Sequence, residues 1–222
     1  MAADPDTPPQ EAQLRNVEDV LQFWFGRVPG PEFGTLDALW LPTRIPCWGG
    51  HWARRVFDVD QVIRRRFGET LERAAAGELD HWAETSHGRL ALVIVLDQFS
   101  RNIHRGTPRA FAQDDQGLEL ALEALDRDED RQFNELARTL FYLPLMHRED
   151  LAMQDRCLLL YRDAYRGARL VPGLVLKVEL ASSRRHREII ARFGRFPHRN
   201  ASLGRSSTAE ELAFLEQPFS TF

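Results

Sequence analysis

Apolar residues recur every three or four positions along most of the chain, which is the spacing of one face of an α-helix. The stripes that predict helices are Val17, Val20, Leu21 and Trp24; Ile63, Phe67 and Leu71; Leu118, Ala121, Leu122 and Leu125; Phe133, Leu136, Ala137 and Leu140; and Leu151, Leu158, Tyr161 and Tyr165. Asn16 and Gly26 flank the first stripe, and Thr208 with Glu211 forms a capping box for a short last helix. No stretch alternates apolar and polar residues as a half-buried strand does.

The segment Leu90–Leu96 is apolar on every side, so its periodicity permits either a buried strand or a buried helix. Phe99 and Ile103 extend the pattern at four-residue spacing. This extension favours a helix that is surrounded by other helices.

Prolines predict several further helix boundaries. Thr107-Pro108 is an N-cap followed by proline in the first turn of the next helix. Pro144 breaks or kinks the helix before it. Pro172-Gly173 opens a long helix that runs until Pro197 ends it.

The order of these elements predicts the domain organisation. Eight to ten helices joined by short loops imply antiparallel helical hairpins packed in layers. We therefore expect an all-α fold with no sheet, in a single domain at residues 14–222 that follows a disordered tail at residues 1–13. Residues 27–50 are rich in Pro, Gly and Trp and are expected to form a loop with one short helix near residues 35–39.

Composition narrows the classes of function. The 222 residues carry a net charge of −4, which argues against a protein that grips nucleic acid through a wholly basic surface. Lys177 is the only lysine, so nearly all basic residues are arginines and a cluster of arginines is weak support for a binding site. The acidic, proline-rich N-terminus resembles no signal or transit peptide. No apolar run approaches the roughly 20 residues of a membrane helix.

The two cysteines, Cys47 and Cys157, lack the spacing of a metal site. Buried thiols in a reducing compartment are the simpler expectation, and one disulfide between them is the alternative. The sequence thus predicts a cytoplasmic protein.

The first polar cluster, residues 97–102, directly follows the all-apolar run. A buried polar group without a partner costs about 1–3 kcal/mol, so these side chains need partners. Asp97 and Arg101 are four residues apart, as are Gln98 and Asn102, so each pair shares a helix face. The cluster is either an internal network that holds the helices together or part of a ligand site.

The second candidate is the segment Leu143–Asp150. His147 continues the stripe that ends at Leu140, so its side chain is expected to point into the core. Asp150 follows three residues later, close enough to hold the imidazole in one tautomer. One reading is an acid–base or metal-ligating histidine that Asp150 orients. The other is a core histidine bonded to a carboxylate that caps the next helix.

The third candidate begins on the last long helix. Val178, Ser182, His186, Ile189 and Phe193 are expected on one face. That face is largely apolar, so His186 should point inward, as His147 does.

The same candidate continues in the loop after that helix, where His198, Arg199 and Asn200 follow a proline. Loop residues of this kind often carry function. Seven arginines and one acid, Glu188, lie within residues 184–205. This local positive potential suits a phosphate or carboxylate group, and a solvated surface is the alternative.

Five stretches of the chain are similar to one known family: Val20–Gly26, Leu96–Asn102, Phe141–Asp150, His186–Leu203 and Thr208–Leu215. The family is domain of unknown function nine-two-four, whose members are mostly bacterial. The resemblance extends over nearly the whole chain from about residue 14. It implies a tetratricopeptide-repeat-like all-helical superfold and no established activity. It also implies that the three clusters are the hallmark segments of the family. The chain departs from the family pattern at Arg148, where serine is expected, and at Ser206, where glutamate is expected.

Two classes of function follow. One is an enzyme or small-molecule-binding protein with a polar site in the helical core and a small, anionic ligand. The other is a peptide- or protein-binding scaffold, a common use of stacked helical hairpins. We expect the three clusters to converge on one pocket, with His147 and His186 within about 12 Å of each other. The sequence contains no specific metal-binding motif, and it names no cofactor, reaction or oligomeric state.

Overall fold

The computed structural model describes residues 15–26, 59–168, 170–218 and 220–221. Within these ranges the chain forms eight α-helices and no β-strand. They are α1 (Val17–Phe25), α2 (Val59–Ala75), α3 (Ser86–Val93, continued by a π-helical stretch Ile94–Phe99 and a last turn Ser100–Ile103), α4 (Asp114–Asp126), α5 (Leu143–His147), α6 (Leu151–Gly167), α7 (Leu170–Phe193) and α8 (Ala209–Leu215). The predicted all-α fold is confirmed. The predicted tail, the short helix near residues 35–39 and Cys47 lie outside the described residues.

The predicted caps explain where the first and last helices begin. The Asn16 side chain accepts a hydrogen bond from the backbone N–H of Asp19, and Asp19 reciprocates, which completes a capping box at α1. Gly26 ends α1 in the left-handed conformation, with φ of 81°. Thr208 and Glu211 form the predicted capping box of α8.

α3 is the central helix of the fold. Every residue from 88 to 100 is buried, and α1, α2 and α4 pack around this segment. The ring centroid of Phe99 lies 4.7 Å from that of Phe67 on α2 and 5.9 Å from that of Phe23 on α1. The choice of a helix for Leu90–Leu96 is therefore confirmed. A buried helix pairs its own backbone groups, which a lone strand among helices could not do.

Two helices predicted from their apolar stripes are shorter than expected. Pro108 begins a 3-10 turn that ends at Phe111, and α4 starts only at Asp114. The stripe from Phe133 to Leu140 forms mainly turns, because the Asn134 side chain accepts hydrogen bonds from two backbone N–H groups and holds a turn there. All four apolar residues of that stripe are nevertheless buried.

α6 and α7 form an antiparallel hairpin and pack along their lengths. The prediction that Val178 lies on the buried face of α7 is wrong, because this side chain is 68% exposed. Each step of four residues turns about 40° beyond a full helical turn, so Val178 lies about 80° around the helix from His186. The buried face consists of Leu176, Glu179, Leu180, Ser183, His186, Ile189 and Ile190.

The apolar core has two parts. The larger part fills the space between α1 to α7, and the smaller part consists of Ile189, Ile190, Phe196 and Phe214 near the C-terminus. His186 lies where the two parts meet, with its ring centroid 5.5 Å from that of Phe196. No helix of the described residues is long and apolar enough to cross a membrane.

Gly88 is required by the tight turn that leads into α3. A Cβ atom at this position would lie 2.0 Å from the backbone oxygen of Trp82. We therefore expect Gly88→Ala to lower the free energy of unfolding by roughly 2–3 kcal/mol, measured by urea unfolding.

Gly68 on α2 is the matched control for this substitution, since a Cβ atom there would meet nothing within 4 Å. Gly68→Ala should raise stability by about 0.5–1 kcal/mol through helix propensity. Equal effects of the two substitutions would contradict the packing at Gly88.

Candidate functional site

Four separate elements bring the candidate residues together. They are the π-helical stretch of α3, the end of α5, the middle of α7 and the 3-10 turn Pro197–Arg199 that follows α7. The ring centroids of His147 on α5 and His186 on α7 are 6.3 Å apart. The predicted proximity of these two histidines is thus confirmed. A π-helical turn inside an α-helix is rare and occurs frequently at functional sites.

The half-buried His147 and the buried Asp97 form a pair at the centre of this region. The Nδ1 atom of His147 lies 2.8 Å from Oδ1 and 3.0 Å from Oδ2 of Asp97. An ionised carboxylate can only accept hydrogen bonds, so Nδ1 carries the proton and Nε2 carries a lone pair. Nε2 has no hydrogen-bond partner among the described residues, and the His147 side chain is 16% exposed.

Asp97 stays ionised although it is almost completely buried. Burial alone would raise the pKa of its carboxyl group, but the charge of Arg101 and the hydrogen bonds from His147 and Gln98 outweigh burial and hold this pKa well below its usual range. Gln98 Nε2 donates to Oδ2 of Asp97 at 2.5 Å, and Arg101 Nη1 lies 2.9 Å from Oδ1. The predicted Asp97–Arg101 pair is therefore confirmed.

The predicted pairing of His147 with Asp150 is wrong. Asp150 is exposed, and its side chain accepts a hydrogen bond from the backbone N–H of Met153 as the N-cap of α6. Its carboxylate is therefore used to begin the next helix. The partner of His147 comes instead from α3, 50 residues earlier in the chain.

Asp114, the first residue of α4, links the two arginines of the site. Arg101 Nη2 donates to Oδ2 of Asp114 at 3.0 Å, and Arg199 Nη1 approaches the same oxygen at 3.5 Å. Arg199 Nη2 also donates to the backbone oxygen of His147 at 2.9 Å. The sequence did not indicate Asp114 as a site residue, because an aspartate at the start of a helix is ordinarily interpreted as a helix cap.

The Arg199 guanidinium lies between two aromatic rings. Its central carbon is 4.6 Å from the ring centroid of Phe111 and 4.6 Å from that of Phe196. This geometry is a double cation–π contact, which fixes the plane of the guanidinium. Neither phenylalanine was among the predicted site residues, although Phe196 directly precedes the proline that led to Arg199.

Three imidazoles of the site are held neutral by their surroundings. Burial, and then the charges of neighbouring arginines and histidines, lowers the pKa of His186 and of His198 to about 3. Burial and the charge of Arg101 likewise lower the pKa of His147. His186 Nδ1 donates to the backbone oxygen of Ser182 at 2.8 Å, which fixes the tautomer of this ring.

Asn102 and Asn200 have described partners that lie in other networks. Asn102 Nδ2 donates to Asp60 on α2 at 2.7 Å. Asn200 Nδ2 donates to Ser207 at 3.0 Å, and its Oδ1 accepts from Arg205 at 3.0 Å. The structure thus joins the histidines, Asp97 and the two arginines, but it gives these two asparagines other contacts.

Two carboxylates anchor the C-terminal segment that supplies His198 and Arg199. Glu149 accepts from the backbone N–H of Phe196 at 2.8 Å and from both terminal nitrogens of Arg205, at 2.6 and 2.9 Å. Glu211 accepts from Arg195 at 2.7 and 2.8 Å. Bidentate contacts of this kind fix a segment in position.

The described residues contain no group of three or more His, Cys, Asp or Glu side chains arranged to hold a metal ion. Cys157 is a free, buried thiol, as the sequence predicts for this residue. Burial raises the pKa of the Cys157 thiol to about 12, so it is not a reactive thiolate.

The fold and the site define an all-helical protein with a histidine–aspartate pair beside the buried Arg199 and the half-buried Arg101. The chain belongs to the family described as "Bacterial protein of unknown function (DUF924)", whose model matches residues 20–219. The family that the sequence resembles is therefore confirmed.

A solved structure of a protein of unknown function from Agrobacterium tumefaciens is similar to the chain. The two are 40% identical, with a TM-score of 0.63, and the match covers 71% of this chain and 83% of the other. No curated protein matches the chain. The comparisons thus support the family and the fold.

Proposed function

We propose that the protein binds a small anionic molecule beside Arg199, in contact with the imidazole of His147. The site would hold the negative group of the ligand against the guanidinium. The histidine would accept a hydrogen bond from a donor on the ligand or on a water bound with it.

The incomplete pairing of Arg199 is the observation that carries this proposal. The side chain is 6% exposed, and among the described residues its Nε atom has no hydrogen-bond partner. Its nearest carboxylate, Asp114, also accepts from Arg101, so one acid serves two guanidinium groups. A buried cation with an unused N–H group is stabilised by an anion that reaches it.

The electrostatic surroundings support the same conclusion. Burial and the nearby charge of Arg101 lower the pKa of Arg199 to about 10, so the positive charge is disfavoured at this position. An added negative charge would relieve this effect. The neighbouring imidazoles are neutral and offer hydrogen bonds without adding further positive charge.

Thermal unfolding with four probes tests this proposal: inorganic phosphate, sulfate, acetate and oxalate, each compared with chloride at the same ionic strength. A ligand at one hundred times its Kd adds about 2.7 kcal/mol to the stability of the folded state. We expect at least one probe to raise the Tm of the wild-type protein and to lose this effect in Arg199→Gln.

Arg184→Gln is the control, because Arg184 is exposed on α7 and lies outside the site. It should respond to the probes as the wild-type protein does. The proposal fails if no probe stabilises the wild-type protein more than chloride, or if Arg199→Gln keeps the full response.

A peptide- or protein-binding scaffold is the second candidate. Two aliphatic side chains four residues apart on α7 favour it: Leu174 and Val178 are 65% and 68% exposed. Exposed apolar groups close together are a common feature of protein interfaces. A stable partner that is lost in Val178→Ser, together with no response to the anions, would favour this candidate.

We also propose three properties that the sequence predicts. They are a cytoplasmic location, a single domain at residues 14–222 and a tetratricopeptide-repeat-like arrangement of the helices. The free Cys157 thiol supports the first, since such thiols are typical of reducing compartments.

A further inference from the structure

We infer that His147 is a general base, which takes a proton through Nε2 from a hydroxyl group held beside Arg199, while Asp97 positions the ring. This inference rests on the proposed anion site and adds a proton transfer to His147 at that site. The substrate class is a small carboxylate or phosphate compound that either carries a hydroxyl group or is attacked by a bound water.

The His147 ring is held in one direction by Asp97. Both oxygens of Asp97 lie within 3.0 Å of Nδ1, so the proton of the neutral ring is on the buried side. The opposite nitrogen, Nε2, therefore carries its lone pair away from Asp97. Nε2 meets no donor among the described residues, so its lone pair is available to a ligand or a bound water.

Asp97 is surrounded by groups that keep it ionised. Its carboxylate accepts from His147 and Gln98, forms an ion pair with Arg101, and is 1% exposed. Such an anion stabilises the imidazolium that forms when Nε2 gains a proton, and it keeps the ring in one orientation. The π-helical stretch of α3 presents this carboxylate from the interior, where water does not compete for it.

Arg199 lies against the backbone of His147. Its Nη2 atom donates to the backbone oxygen of His147, so the guanidinium and the imidazole belong to adjacent parts of one site. An anionic group bound at the guanidinium would place the rest of a small molecule near the ring. Binding and proton transfer would thus use neighbouring groups.

The proposed step is a single proton transfer. The O–H bond of the hydroxyl group breaks, its electron pair stays on the oxygen, and an N–H bond forms at Nε2. Asp97 remains ionised and faces an imidazolium. The oxygen becomes a nucleophile, and the proton returns from Nε2 to the product or to solvent.

Two readouts test the inference without a known substrate. The first is the ¹⁵N spectrum of protein labelled in its seven histidines, with the His147 signals assigned from His147→Gln. We expect Nδ1 to be protonated and Nε2 to be unprotonated at pH 7. In Asp97→Asn an amide N–H would donate to Nδ1 and move the ring proton to Nε2.

The second readout is modification by diethyl pyrocarbonate, which reacts with the lone pair of a neutral imidazole. Mass spectrometry should locate modification at His147 in the wild-type protein, and Asp97→Asn should slow it by about tenfold or more, because the other tautomer has no lone pair at Nε2. Exposed His81 is the internal control and should react equally in both proteins.

Buried His186 reports whether Asp97→Asn has loosened the fold, since loosening would make this ring reactive as well. A purely structural Asp97 predicts faster modification of His147 in the variant, and that result would overturn the inference. A protonated Nε2 in the wild-type protein would also overturn it.

Addition of inorganic phosphate separates this inference from the proposed function. Suppose that phosphate raises the Tm through Arg199 but neither shifts the Nε2 signal nor protects His147 from modification. That result would support the anion site and contradict the assignment of His147 as a general base. If the signal shifts and His147 is protected, both stand. If phosphate does not bind while Nε2 is unprotonated and reactive, the anion site fails for this probe and the basic character of His147 is retained.

Discussion

Replacing Asp97 with alanine lowers the free energy of unfolding at pH 7 by about 3 kcal/mol, as measured by urea unfolding. The substitution leaves Arg101 with Asp114 as its remaining carboxylate and removes the acceptor of the buried donors on His147 and Gln98. Breaking a buried ion pair costs about 3–5 kcal/mol, and the contact with Asp114 keeps the effect near the lower end.

Two further variants show whether burial of the ion pair causes the loss of stability in Asp97→Ala. Asp126 pairs with Arg156 at the surface, so Asp126→Ala should cost less than about 1 kcal/mol. Arg101→Met added to Asp97→Ala should recover part of the lost stability, because the unpaired charge is removed as well. A double variant no more stable than Asp97→Ala alone, or a loss in Asp126→Ala equal to that in Asp97→Ala, would contradict the account.

Acidification from pH 6.5 to pH 5 lowers the free energy of unfolding by roughly 3 kcal/mol. The folded protein holds the pKa of His186 and His198 at about 3, whereas an unfolded histidine has its ordinary value of 6.5. Between these values the unfolded chain binds protons that the folded chain does not, so stability falls as the pH falls. Each histidine lowers the free energy of unfolding by about 1 kcal/mol for each pH unit of acidification in this range.

The effect of Asp97 belongs to a lower pH range. Its folded pKa lies below the ordinary value of 3.8, so its stabilisation is fully present above that value and is lost only as the pH falls further. Urea unfolding at pH 6.5 and pH 5 therefore reports on the histidines, and His147 adds to the loss because its pKa is lowered as well. His186→Gln should reduce the difference between the two pH values by about 1.5 kcal/mol, and His81→Gln should not change it. A full difference in His186→Gln would show that this ring is not the source.

Periodicity predicted the helices of this chain well, for a physical reason. A buried face at intervals of three and four residues is required wherever a helix packs on one side, as α1, α2 and α6 do. Periodicity predicts the structure less well where polar side chains determine the backbone conformation. Asn134 holds a turn inside an apolar stripe, and the position of Val178 depends on a rotation that accumulates over two helical turns.

The site was predictable only in part. The apolar surroundings of His147 and His186 in the sequence indicated that both rings point inward, and the structure brings them together. The partner of His147 could not be found in this way, because Asp150 is near in sequence and Asp97 is near only in space. Asp114 illustrates the same limit, since its contact with Arg199 joins residues 85 positions apart.

Binding of an anion between Arg199 and His147 is the central claim, and anomalous diffraction from crystals soaked in selenate tests it most directly. We expect a selenium peak within about 4 Å of the Arg199 guanidinium, with the selenate oxygens accepting hydrogen bonds from its N–H groups. Selenate has no donor, so a bound water should donate to Nε2 of His147 and to a selenate oxygen. The peak should be absent from crystals of Arg199→Gln. Selenate bound only at other places on the wild-type protein, with no peak beside Arg199, would contradict it.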